Sequence, residues 1–366
     1  MSFLANRMNS IDASGIRKVF ALAATMKDPI NLSIGQPDYD VDTIVKDTMI
    51  QAVRDGKNTY TQTWGIQSLR DAVTQYYDQK FGVTIKNPMI CSGVSGALFL
   101  ALMATVEPGD EVLFADPYFV MYPHLTALLG GVPIPINTYP HFKLTPEALE
   151  AAITPKSKIL IINTPSNPTG VTLNRVELQA LADVAKKHKL LVLTDEIYEA
   201  LSYDEAPATM VGMYDNVLLL SGLSKSAAMT GWRIGFASGP DEIIQAMNTL
   251  QQYTFVCAPA PAQEAAVVAL QQDMTQKIDA YREKRDIVYN GLKDHMEVAK
   301  PGGAFYIFPK APGGDGTKFV ERAIANNVLI IPGAVFSKTK SHFRISFAAT
   351  NDTLKKGINT LLTLTD

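Results

Sequence analysis

Three runs in the middle of the chain are almost wholly aliphatic: Lys158–Asn163 (KILIIN), Leu190–Glu196 (LLVLTDE) and Asn216–Gly222 (NVLLLSG). Each ends in polar or small residues, the pattern of strands buried on both faces of a parallel sheet. Asp110–Pro117 (DEVLFADP) follows an EPGD turn and predicts a further strand. Between the first two runs, Leu178, Leu181, Ala182 and Ala185 recur at helical spacing over Arg175–His188. Asn174, three residues before Glu177, is a candidate cap for that helix. Strand, helix and strand make a βαβ unit, so the class is α/β with a mainly parallel sheet. Gly96–Val106 is apolar on every side, which predicts a buried helix.

The pattern changes toward the C-terminus. Asp273–His295 is charged and amphipathic and predicts a long helix. After it, AFYIFP (304–309), VLIIP (328–332) and HFRISF (342–347) predict short strands around an intervening helix, with a glycine-rich turn at Gly313–Gly316. That is a smaller α+β domain. A helix-like segment near Ser14–Met26 precedes LSIGQPDYD and belongs clearly to neither part.

Composition narrows the function. The formal charge of −3, without long runs of either sign, gives no footprint for nucleic acid. Two cysteines, Cys91 and Cys257, make no disulfide framework. The start lacks a basic region followed by an apolar run, and the longest apolar stretch is too short to span a bilayer. A cytoplasmic protein with no membrane partner is expected.

Chemistry enters at the strand ends, where open parallel sheets bind ligands. KILIIN leads into Asn167, LLVLT into Asp195 with Tyr198 three residues on, and NVLLLSG into Lys225. A carboxylate behind a buried strand is costly unless paired or hydrogen-bonded. A lysine there holds a phosphate or forms a Schiff base with a carbonyl. Neither GxxxxGK[ST] nor the GxGxxG fingerprint occurs. In SGVSGAL, however, a strand passes into the buried helix through small residues. The amides of Val94 and Ser95 and the Ser95 hydroxyl suit a phosphate there. Arg233, with Lys225 one of two charged residues in Ser221–Gly239, adds a fork of donors. Schiff-base lysine, carboxylate, phosphate cradle and arginine together match one cofactor, pyridoxal 5′-phosphate.

The motifs NTPSNPTG, TDEIY and SKSAAMTGWRIG carry a resemblance that runs from IGQPD to FRISFA. The chain resembles the fold type I (class I) pyridoxal-phosphate aminotransferases, in particular the subgroup of bacterial aspartate aminotransferases. The resemblance implies a large domain over 41–281 with a seven-stranded-type sheet, and a small domain of 1–40 with 282–366. It implies that Lys225 forms the Schiff base, that Asp195 pairs with the pyridine nitrogen, and that Tyr198 and Asn167 bond the cofactor's 3-oxygen. Arg233, Val94 and Ser95 would bind phosphate and Phe119 would stack on the ring. Tyr60 would reach the phosphate from the partner of a homodimer with shared sites. Arg344 would clamp the substrate α-carboxylate, and Gly35 would lie in the loop covering the substrate. No metal is expected. The implied reaction is a ping-pong transfer from an L-amino acid to a 2-oxoacid such as 2-oxoglutarate.

One departure stands out: Gly222 occupies the place where many relatives carry a phosphate-binding serine, leaving Ser221, Ser224 or Ser95 to compensate. Two other enzymes compete, a C–S lyase on the same scaffold and a serine hydrolase built from SGVSGAL, Asp195 and His342. A DNA-binding regulator would need an added N-terminal domain. The amino donor itself stays open. A dicarboxylate needs a second cation, for which Arg17 and Lys18 are candidates.

Overall fold

The computed structural model describes residues 3–11, 15, 16, 19, 22 and 24–365. Six of the thirteen residues of the helix expected near Ser14–Met26, Arg17 and Lys18 among them, lie outside the described residues.

The expected aliphatic strands form and lie side by side. In chain order the strands are β1 (Ile30–Asn31), β2 (Met89–Ser92), β3 (Glu111–Asp116), β4 (Val132–Asn137), β5 (Ser157–Asn163) and β6 (Leu191–Asp195). They continue with β7 (Val217–Gly222), β8 (Ile234–Ser238), β9 (Tyr306–Ile307), β10 (Val328–Leu329), β11 (Ile331–Pro332) and β12 (Phe343–Ser346). Seven make one sheet in the order β2-β8-β7-β6-β5-β3-β4. All its pairings are parallel except those of β8, which runs antiparallel to β2 and β7. The βαβ unit is as patterned: the helix Arg175–Lys187 joins β5 to β6 and starts on a capping box of Asn174 and Glu177. Its buried stripe is Leu178, Leu181, Ala182 and Ala185.

The apolar helix begins earlier than expected, at Gly93, and runs to Thr105. Packing covers most of it, but Met103 is 43% exposed, so burial is not complete all round. The smaller part holds the antiparallel sheet β11-β12-β9 and the parallel pair β1-β10. The amphipathic segment forms a helix over Thr275–Leu292, on which the helix Asn351–Leu362 packs. Tyr198, just past β6, belongs to the same core as Phe305, Tyr306 and Phe347, so aromatic packing joins the end of the large sheet to the small one. Its ring meets Phe305 and Tyr306 edge-on at 5.6 and 5.7 Å between centroids.

Candidate active site

The carboxyl ends of β5, β6 and β7 open into a cavity of about 340 Å³, roofed by residues 34–36 and β12. Lys225 lies just past β7. Tyr39 fixes its turn by donating to the carbonyls of Lys225 and Ser226 at 2.9 and 2.8 Å. The Lys225 ammonium donates to Gly35 O at 2.5 Å. Burial, then the positive charges of Arg344 and Arg233, push its pKa down to about 8, against the pull of Asp195.

Asp195 ends β6, buried. Tyr122 donates to Oδ2 at 2.7 Å and the amide of Ile197 to Oδ1 at 3.3 Å. Desolvation outweighs both bonds and raises the carboxyl to about 6. Its neighbour Glu196 belongs to a different site: Thr194, Thr209 and Met210 N donate to it. Neither Thr209 nor Met210 lines the cavity.

At the far side, the helix Gly93–Thr105 has no side-chain cap, so the amides of its first turn have no partner of their own. Val94 and Ser95 line the cavity there. The Arg233 guanidinium lies over this turn, donating from Nη1 to Thr230 O at 2.9 Å and from Nη2 to Ser92 O at 3.3 Å. Gly93 makes this possible, since a Cβ at its φ of +69° would meet Arg233 Nη2 at 2.4 Å. Arg233 is itself left-handed, with φ +58°, a conformation costing about 1–2 kcal/mol outside glycine. Strain of this kind persists where surrounding contacts impose it.

Arg344, on β12, is 1% exposed. Its Nη1 donates to Asn167 Oδ1 and its Nη2 to Ser33 O, both at 2.9 Å. Tyr306 and Phe336 lie 4.4 and 4.7 Å from its central carbon. Its Nε has no partner among the described residues. Asn167 is held in turn through its backbone N–H, which donates to Asn163 Oδ1 at 2.9 Å. The Tyr198 and Tyr306 hydroxyls are 3.1 Å apart.

Of the residues singled out in the sequence, Lys225, Asp195, Asn167, Tyr198, Phe119, Val94, Ser95, Arg233, Arg344 and Gly35 all line this cavity. Tyr60 does not; it is 83% exposed. Ser221 cannot stand in for the serine missing at 222, because its hydroxyl donates to Glu196 O away from the cavity. Ser95, Ser224 and Thr230 are the serine and threonine hydroxyls that line the cavity among the described residues. At Gly222 a Cβ would come within 2.8 Å of Gly235 Cα, so the two strands touch where the serine would stand. The hydrolase triad is not assembled. His342 stacks on Phe308 at 5.2 Å and does not line the cavity, and Asp195 is bonded by Tyr122. Sequence reasoning missed Tyr122, Asn163, Ser33 and Tyr306. Tyr306 sat inside the strand segment AFYIFP, and Tyr122 lies three residues past Phe119, yet neither carries a local mark of its place in the site.

Comparison with known proteins identifies the family. The family model for aminotransferases of class I and II matches residues 27–361. A putative aminotransferase of Bacillus subtilis, YugH, is 38% identical, with 98% of this chain and 97% of that protein covered. A probable aspartate aminotransferase of Methanocaldococcus jannaschii is 35% identical, covering 97% and 98%. The structure of Thermus thermophilus aspartate aminotransferase with maleate superposes with a TM-score of 0.96 at 31% identity, over 100% of both chains. A match of this extent, in sequence and in backbone, settles the family: the chain belongs to the class I and II aminotransferases, enzymes that move an amino group from an amino acid to a 2-oxoacid.

Proposed function

We propose that the cavity binds pyridoxal 5′-phosphate through Lys225, and that donor and acceptor take turns there in a ping-pong exchange. Lys225 carries the reading: its amine, lowered to about 8, stands with Asp195, Arg233 and Arg344 around one cavity. The donor set fits the cofactor. Two free amides, the Ser95 and Ser224 hydroxyls and the Arg233 fork suit a phosphate dianion. Asp195 suits a ring nitrogen, and Phe119 offers an aromatic face. Because Asn167 Oδ1 already accepts from Arg344, its side-chain Nδ2 is left to donate to the 3-oxygen, beside Tyr198.

Bound there, the cofactor supplies an aldehyde that condenses with amines and a ring that accepts the electron pair left at Cα. Lys225, once its nitrogen is free, takes the proton from the donor's Cα as general base and returns it as general acid. A pKa lowered to about 8 suits both directions near neutral pH. Asp195 balances the charge of the protonated ring nitrogen. Arg344 holds the α-carboxylate that every donor and acceptor shares, and the Gly35 loop covers it. 2-Oxoglutarate is the first acceptor to test.

Tyr60 points to the quaternary state. Exposed and off its own cavity, it would reach a phosphate only in a second copy, which supports a homodimer with shared sites. A division into residues 41–281 and 1–40 with 282–366, and a cytoplasmic location, belong to the same proposal. Borohydride reduction of the cofactor-loaded enzyme, followed by peptide mass spectrometry, should place one pyridoxyl group on Lys225. A label on another lysine, or an active Lys225→Ala variant, overturns the assignment.

A further inference from the structure

Two hydrogen bonds tie Lys225 to the rest of the chain among the described residues, and both lead to one short segment. Its ammonium donates to Gly35 O, and its carbonyl accepts from the hydroxyl of Tyr39, four residues further on. That hydroxyl lies 2.9 Å from Lys225 O and 2.8 Å from Ser226 O, so its one proton is shared between neighbouring carbonyls. No other donor reaches either carbonyl among the described residues. The turn itself is not a relaxed one: Ala228, three residues past Lys225, is left-handed at φ +55°. A residue other than glycine keeps such a conformation where its surroundings impose it.

Tyr39 is anchored on the long helix Thr275–Leu292. Its ring meets that of Tyr281 edge-on at 5.9 Å, and the Lys277 ammonium stands 5.0 Å from its centroid. The acids on either side of it bind the same helix. Asp38 pairs with Lys284 and accepts from the Tyr281 hydroxyl at 2.9 Å, while its backbone N–H donates to that hydroxyl at 3.2 Å. Asp42 pairs with Lys277 at 2.6 Å. Fixed from both sides, the Tyr39 hydroxyl is aimed at a turn 186 residues further along the chain. Burial, then the negative charges of Asp42 and Asp38, raise its pKa well above the ordinary range, so it keeps its proton and donates.

We propose that Tyr39 is a positioning residue for Lys225: its hydroxyl fixes the lysine's backbone, and so the point from which the amine acts. This rests on the role given to Lys225 above. In that role the nitrogen is bonded to carbon while it holds the cofactor and free while it moves the Cα proton. Its bond to Gly35 O does not outlast those changes, whereas the bond from Tyr39 goes to the backbone and breaks at no step. Freed, the amine takes the Cα proton on its lone pair, leaves the bonding electrons to the cofactor ring, and later returns the proton. Lysine has a flexible four-carbon stem, and proton transfer needs its nitrogen within about 3 Å of the target. Holding the Cα end of the stem narrows the positions the nitrogen takes.

The test compares wild type, Tyr39→Phe and Lys225→Ala. Phenylalanine keeps the ring between Tyr281 and Lys277 and removes the hydroxyl alone. In the apoenzyme, competitive acetylation read by peptide mass spectrometry gives the titration of the Lys225 amine. Wild type should titrate at about 8. Tyr39→Phe should titrate higher, toward an ordinary lysine, because an amine let out of its place regains water; an unchanged titration overturns the proposal. In the cofactor-loaded enzyme, single turnovers are followed with whichever of alanine, aspartate and phenylalanine the wild type uses fastest. The rate constant at saturation should fall at least about threefold, the scale of one lost hydrogen bond. With the donor deuterated at Cα, the isotope effect should be at least as large as in wild type, since the slowed step is proton transfer. A smaller fall, or a diminished isotope effect, overturns the proposal. An active Lys225→Ala sinks the role of the lysine itself. A Tyr39→Phe enzyme that matches wild type, beside an inactive Lys225→Ala, sinks the role of Tyr39 alone.

Discussion

Arg344→Lys keeps the positive charge of the proposed carboxylate clamp and removes its shape. A guanidinium has five N–H donors and an ammonium three. Two of the five are committed at rest, to Asn167 Oδ1 and Ser33 O, which leaves three for a ligand. A lysine holding the same two partners keeps one. A substrate carboxylate therefore loses one of two charge-assisted bonds, worth about 1.5–3 kcal/mol. That corresponds to a fall in kcat/KM of roughly 10- to 150-fold. Loss of the flat stacking between Tyr306 and Phe336 adds to it. Because the α-carboxylate is common to all substrates, the fall should be equal for donors of different side chains and for 2-oxoacids. The assay is steady-state kinetics with three donors and two acceptors, with the visible absorption of the bound cofactor recorded on the same preparations and unchanged. A fall smaller than about threefold, or one confined to a single donor, refutes the clamp.

In the proposed site Asp195 must be ionised to balance a protonated ring nitrogen, and burial raises it to about 6. Cofactor affinity of the apoenzyme, followed by fluorescence titration, should rise between pH 6 and 8 as Lys225 loses its proton and fall more steeply below pH 6 as Asp195 gains one. Asp195→Asn should bind more weakly and lack the steep part; a variant that keeps it shows that another group titrates. Gly93→Ala should drive the Arg233 guanidinium off the helix end and weaken cofactor binding at least about tenfold, one charge-assisted bond. Gly56→Ala, equally left-handed but with no atom within 4 Å, is the control and should lose stability alone; equal cofactor loss in both would refute the steric argument. Sedimentation should find a dimer, and Tyr60→Phe should weaken cofactor binding without dissociating it; a fully active monomer contradicts the shared site.

The central strands were legible because their environment is uniform. The centre of a run such as KILIIN, Ile159 to Ile162, is buried on both faces, so its sequence contains little besides that burial, and β5 fell within one residue of its expected start. The capping box at Asn174 was legible for a local reason, since both its bonds close within three residues. The site residues with a fixed sequence neighbourhood, Lys225, Asp195 and Arg233, were found through their motifs. What escaped was whatever depends on partners far along the chain. β8 runs antiparallel in an otherwise parallel sheet, and nothing local in IGFAS records direction. Tyr122 meets Asp195 across 73 residues and looks like any core tyrosine until the fold brings the two together. Gly93 is informative only once Arg233 is known to lie over it.

β1 is only two residues long, yet its pairing has a consequence for how the protein is made. Ile30 and Asn31 pair with Val328 and Leu329, and the loop that follows supplies Ser33 O to Arg344 and Gly35 O to Lys225. On a ribosome, where chains emerge from the N-terminus, this segment appears early and waits for some three hundred residues before its partner strand exists. Once residue 233 has been made, the nascent chain can hold Lys225 and the proposed anion cradle, whose furthest tie is between Ser92 and Arg233. The carboxylate clamp and the loop over it are absent until β10 and β12 have been made. If Arg344 is the clamp proposed above, recognition of the substrate is among the last properties the growing chain acquires.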